Sequence, residues 1–141
     1  MDTEVIDHNA ANYTAWQFRR KCIKEMTKQA TEEERKAAWK GELQYCTEQC
    51  EQNMKNYQVW FHRRACVGEI NSGQYAELDF VASVLREDSK NYHAWGHRQW
   101  VIKHFNLWSQ ELQYVDCLLD DDVRNNSAWN QSKSSWVTVM P

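Results

Sequence analysis

Apolar positions in this 141-residue chain recur with a helical period. Leu78, Val81, Ala82 and Leu85 form one run, and Leu112, Val115 and Leu119 another, each spaced to lie on one helix face. A second kind of segment repeats a phrase four times: Asn12-Tyr13-Thr14-Ala15-Trp16, Asn56-Tyr57-Gln58-Val59-Trp60, Asn91-Tyr92-His93-Ala94-Trp95 and Asn125-Asn126-Ser127-Ala128-Trp129. Three copies continue to an arginine, at Arg19, Arg63 and Arg98, where the fourth has Ser132. Asn, Trp and Arg stand at i, i+4 and i+7, as in Asn56, Trp60 and Arg63, which again is one face of a helix.

The phrase tryptophans lie 44, 35 and 34 residues apart. A second landmark, Glu42-Leu43, Glu77-Leu78 and Glu111-Leu112, places each leucine 13 residues before the next motif asparagine. Two helices per repeat predict an all-α fold, an α-α superhelix in which antiparallel hairpins stack as a right-handed solenoid. Each repeat reads as a motif helix followed by a helix beginning near Glu-Leu.

The first interval carries nine extra residues, placed around 27–41 in the turn of the first hairpin. Thr31-Glu32-Glu33-Glu34 has the form of a capping box, so the following helix is expected to start early. On this register the solenoid covers 1–131, with motifs at 12–20, 56–64, 91–99 and 125–131, and 132–141 is a tail outside the repeat. Too few residues precede Asn12 for a complete helix, and the last hairpin is expected to lack its second helix. The chain reads as starting and stopping mid-array, a piece of a longer solenoid or a truncated form.

Composition narrows the classes. A net charge of −3 gives no nucleic-acid footprint. Four Gly and a single Pro, at position 141, leave little to interrupt helices. No apolar run approaches the ~20 residues of a membrane span, and no signal segment opens the chain, so the expected location is cytoplasmic. Of the five cysteines, Cys46 and Cys50 share the slots of Val81 and Leu85 and of Val115 and Leu119, and Cys22 and Cys66 share the slot of Val101. Four thus read as core fillers, and no metal is expected on this chain. His62 and His97 occupy one repeated slot and read as packing or hydrogen-bonding residues. His93 differs, because its slot holds Thr14, Gln58 and Ser127 in the other copies. Variation on a repeated scaffold is where a solenoid carries recognition.

The phrase Asn-Tyr-x-x-Trp-x-x-Arg at this period resembles the protein prenyltransferase α-subunit repeat. Lys55-Asn56-Tyr57-Gln58-Val59-Trp60 with His62-Arg63-Arg64, and Lys90-Asn91-Tyr92-His93-Ala94-Trp95 with His97-Arg98-Gln99-Trp100, resemble the α subunit common to protein farnesyltransferase and geranylgeranyltransferase type I. The resemblance runs from about Asn9 to Gln131. It departs where Ala10, Met54, Ser89 and Val123 replace a frequent proline, and where the fourth motif lacks its tyrosine and arginine.

The resemblance implies a helical crescent around a β subunit, and transfer of a farnesyl or geranylgeranyl group from its diphosphate to the cysteine of a C-terminal CaaX protein. It implies zinc on the β subunit and magnesium at the diphosphate. It implies that Lys55 and Tyr57 serve catalysis and that Lys55, Asn91, Tyr92 and His93 meet the isoprenoid diphosphate. Gln58 and Tyr13 would meet the peptide. Repetition of the tyrosines and asparagines also suits a purely architectural role in the hairpin. Two other readings stand beside this one. The chain could be a non-catalytic helical-repeat scaffold, including a truncated α chain that binds partners without turnover, or a Rab geranylgeranyltransferase α subunit.

Overall fold

The computed structural model describes residues 3–140, so the last position of the tail lies outside it. Eight α-helices follow one another: α1 (Thr3–His8), α2 (Tyr13–Met26), α3 (Glu32–Gln52), α4 (Tyr57–Ile70), α5 (Gln74–Glu87), α6 (Tyr92–Phe105), α7 (Trp108–Asp121) and α8 (Asn126–Val139). No strand occurs among the described residues, and no described helix is long and apolar enough to cross a membrane. The chain divides into two compact units, with the boundary between Gly73 and Gln74.

The hairpins pair differently from the register read in the sequence. Helix α3 packs along α4, α5 along α6 and α7 along α8, with a lesser contact between α1 and α2. Joined by four-residue loops, the paired helices must run antiparallel. Each hairpin therefore ends on its motif helix, and α8 completes the fourth hairpin. The expectation of a missing second helix is corrected. Residues 132–139, expected as a tail, are the second half of α8, with Ser132 and Ser135 buried.

The asparagine and tryptophan of the phrase build those loops, at 9–12, 53–56, 88–91 and 122–125. The motif asparagine closes each turn by donating its backbone N–H to the carbonyl three residues back, at 3.0–3.1 Å. Its side chain then caps the motif helix: Asn12 accepts from Ala15 N, Asn56 from Gln58 N, Asn91 from Ala94 N and Asn125 from Ala128 N. The motif tryptophan reaches back over the turn. Its indole Nε1 donates to the carbonyl of Ala10, Met54, Ser89 or Val123, at 2.6–2.8 Å.

In the first unit the extra residues fall where expected. Helix α3 has 21 residues against 14 in α5, and Thr31 and Glu34 form a reciprocal capping box. Glu32, Glu33 and Glu34 are exposed, but Trp39 is buried with Ile23, Cys66 and Ile70, so the added turns contribute to the core as well. Thr31→Ala is expected to lower stability by about 1 kcal/mol in urea unfolding. In the second unit, Ile102, Leu107 and Trp108 form a cluster over Leu78 and Phe105. Cys46, Cys50 and Cys66 are buried as their slots predict, Cys22 is half-buried and Cys117 is exposed.

The glutamate of the Glu-Leu landmark turns out to matter more than its leucine. Glu42, Glu77 and Glu111 are buried, whereas Leu43, Leu78 and Leu112 are only partly so. Glu42 receives Arg19 Nε and Nη2 from α2 at 2.6 and 2.7 Å, and His62 Nε2 from α4 at 2.9 Å. Glu111 receives Arg98 from α6 at 2.7 and 2.9 Å, and Gln131 from α8 at 3.4 Å. One carboxylate thus ties the preceding hairpin to its own. The tyrosine one turn further on lies against the guanidinium, with Arg19 4.1 Å from the Tyr45 ring centroid and Arg98 3.6 Å from that of Tyr114. His97 donates in the same way to Glu77, at 2.7 Å. The repeated histidines are hydrogen-bonding residues, as expected.

Candidate functional site

The capping loops bring the variable residues to the first turn of each motif helix. In the first unit, Lys55 is the last residue before the cap of α4. It is exposed and lines a shallow hollow of about 430 Å³ with Glu51, Gln52, Asn53, Met54 and Asn56. Tyr57 follows at the first helical position, 59 % exposed, its ring stacked on Phe61 at 6.1 Å. Tyr13 opens α2 in the same way and is 51 % exposed. The hairpin therefore does not bury the repeated tyrosines, and the architectural reading fits the asparagines alone.

Gln58 stands apart from every residue the fold consumes. Its backbone N–H is held by Asn56 at 2.9 Å, and its side-chain oxygen is buried with no hydrogen-bond partner. Buried polar groups without partners are rare, and each one asks for an explanation. Which end of an amide is oxygen is assigned from its partners, so this buried end can equally present the N–H₂ group to an incoming acceptor.

Two further residues complete the exposed face of the first unit, and sequence reading missed both. Arg20, two turns along the same face of α2 from Tyr13, places its guanidinium 5.1 Å from the Phe61 ring centroid. Burial lowers its pKa, but the group remains a cation. Arg20 and Phe61 stand in slots that change between copies, and that variation was the available signal.

In the second unit, Asn91 is buried and its side-chain oxygen is committed to the Ala94 cap. Through this bond Asn91 shapes the turn that sets Tyr92 and His93 at the start of α6. Tyr92 is 83 % exposed, and His93 is half-buried, edge-on to the Tyr92 ring at 5.5 Å. The sequence-predicted residues thus form two sets, Tyr13, Lys55, Tyr57 and Gln58 in the first unit and Asn91, Tyr92 and His93 in the second. Among the described residues, no group of three His, Cys, Asp or Glu side chains could hold a metal ion.

The geometry offers cations, phenols and an unsatisfied amide at helix starts, which suits binding of an anionic or polar ligand. The family model described as "Protein prenyltransferase alpha subunit repeat" matches residues 3–26, 39–70, 75–105 and 108–132. These four matches follow the four hairpins α1–α2, α3–α4, α5–α6 and α7–α8. The chain matches no curated protein at a significant level. Among solved structures it is similar to a chain of Candida albicans protein geranylgeranyltransferase-I complexed with GGPP, with a TM-score of 0.76 and 33 % identity. That match covers 89 % of this chain and 42 % of the other, so this chain spans less than half of its relative's length. Four consecutive repeats, each coinciding with one observed hairpin, place the chain in the protein prenyltransferase alpha subunit repeat family.

Proposed function

We propose that this chain acts as the α subunit, or a part of it, in a heterodimeric protein prenyltransferase that moves a farnesyl or geranylgeranyl group from its diphosphate to the cysteine of a CaaX protein. The observation that carries this reading is the first turn of α4. There Lys55 and Tyr57 are exposed and the Gln58 amide keeps a buried atom without a partner, while the repeated residues around them are used up by the fold. The relative complexed with GGPP supports an isoprenoid diphosphate as ligand.

In this reading Lys55 places a cation beside the departing diphosphate, where negative charge grows as the carbon–oxygen bond breaks. Tyr57 and Tyr92 offer phenolic donors, His93 a ring N–H, and Asn91 holds the turn that presents the last two. Gln58 turns its amide N–H₂ toward the terminal carboxylate of the peptide, with Tyr13 alongside. The zinc that supplies the acceptor thiolate belongs to the β subunit, and no step here depends on it.

The test is co-expression with a farnesyltransferase or geranylgeranyltransferase-I β subunit, followed by prenylation assays on a CaaX peptide. Co-purification with turnover is the expected result, and Lys55→Ala then slows transfer by roughly 10²–10³-fold with peptide affinity nearly unchanged. Loss of peptide affinity alone would overturn the diphosphate role. Failure to co-purify would leave a helical scaffold, and co-purification without turnover a subunit that binds but does not act.

A further inference from the structure

His62 is fully buried, and both of its ring nitrogens are engaged. Arg20 Nη1 of α2 donates to Nδ1 at 3.1 Å, and Nε2 lies 2.9 Å from Glu42 Oε1 of α3. A guanidinium can only donate, so Nδ1 must be the acceptor and Nε2 must carry the proton. The Trp16 ring of α2 closes the third side, its centroid 4.5 Å from that of the imidazole. A single neutral tautomer therefore joins three helices.

We propose that His62 is an acid-sensitive lock of the first unit: protonation turns Nδ1 from an acceptor into a second donor against Arg20, and α2 parts from α4. The charges around the ring are arranged against a third cation. Arg19 and Arg20 face it from α2, and Glu42, already bonded twice by Arg19, is the carboxylate facing it from α3. Burial raises the Tyr45 phenol, to about 12, and the Cys46 thiol, so both stand on α3 as neutral groups at ordinary pH. Burial is the main influence lowering the imidazole pKa. Arg20 and Arg19 act in the same direction, while Glu42 opposes them.

A folded pKa below the unfolded 6.5 means that this lock stabilises fully above pH 6.5 and weakens as pH falls below it. The Glu42 contribution begins to fall only below its ordinary 4.5 and is lost toward about 2, whereas the loss at His62 begins at 6.5. The chain supplies its own non-titrating replacement. In the fourth motif, Gln131 fills the histidine slot and donates to Glu111 at 3.4 Å.

The experiment compares urea unfolding of the full chain and of His62→Gln at pH 7.5 and 5.0, with ring-nitrogen NMR of His62. Glutamine can donate to Glu42 and accept from Arg20, so the variant is expected to fold normally at pH 7.5. At pH 5.0 the wild type should lose up to about 30-fold more of its folding constant than the variant. His62 should show the Nε2–H tautomer and protonate only as the unit opens. Arg20→Met gives an independent arm, because removing the opposing donor should shrink the same acid loss. Equal acid losses in wild type and either variant, or titration of His62 near 6.5 with the fold intact, would overturn the proposal.

Discussion

Glu42→Ala is expected to destabilise the first unit by about 3–5 kcal/mol. The substitution removes one carboxylate but strands two partners, the Arg19 guanidinium and the His62 ring, both buried. An uncompensated buried charge costs far more than the net worth of the pair that contained it. Small domains hold only about 5–15 kcal/mol in total, so the loss should be plain in urea unfolding. An acid limb gives a second check. Burial pushes the Glu42 carboxyl upward, but its bonds to His62 and Arg19 outweigh burial and hold it at about 2. Its contribution is thus complete above pH 4.5 and is lost between there and about pH 2, in total about 3 kcal/mol. Glu42→Ala should abolish that limb. A variant whose stability changes by under 1 kcal/mol would show that the carboxylate is not the tie between hairpins.

The second large effect separates the four tryptophans. Trp16→Ala should cost about 3–5 kcal/mol, since the ring is fully buried and its N–H is bonded to Ala10 at 2.7 Å. Trp129 makes the equivalent bond to Val123, yet 49 % of its surface is exposed. Trp129→Ala should therefore cost no more than about 1–2 kcal/mol, chiefly the lost hydrogen bond. Urea midpoints of the two variants check this directly. Equal losses would mean that the turn bond, and not burial of the ring, sets the importance of the phrase.

Much of the fold was legible because the repeat is written in residues with one job each. Asparagine caps, tryptophan closes the turn and Thr31 with Glu34 opens α3, all through local bonds that sequence spacing can represent. The pairing of helices was not legible. A period shows that two helices alternate, but it cannot tell which neighbour is the antiparallel partner. The four-residue loop decides that, and its tight bonds appear only in three dimensions. Glu42 and Glu111 were hidden for a related reason. A glutamate before a leucine reads as solvated, and its burial becomes sensible only once an arginine from another hairpin is placed against it.

The candidate site divides along the same line. Gln58 and His93 could be singled out because their slots change between copies, and Lys55 only through the family resemblance; the structure leaves Gln58 with an unsatisfied buried atom. The exposure of Tyr13, Tyr57 and Tyr92 could not be foreseen, because repetition is the same signal whether a residue serves the fold or a shared surface. Arg20 and Phe61 also stand in varying slots, but their association across α2 and α4 shows only once the helices are packed.

The indole of each motif tryptophan bonds to a main-chain carbonyl, at Ala10, Met54, Ser89 and Val123. A backbone acceptor is blind to the side chain it belongs to, so that position is free to drift without loosening the joint. A proline there would serve the indole equally well, having lost only its N–H. Divergence of the copies at this position is therefore neutral to assembly. The array can accumulate differences within these turns while every hairpin still closes by one mechanism.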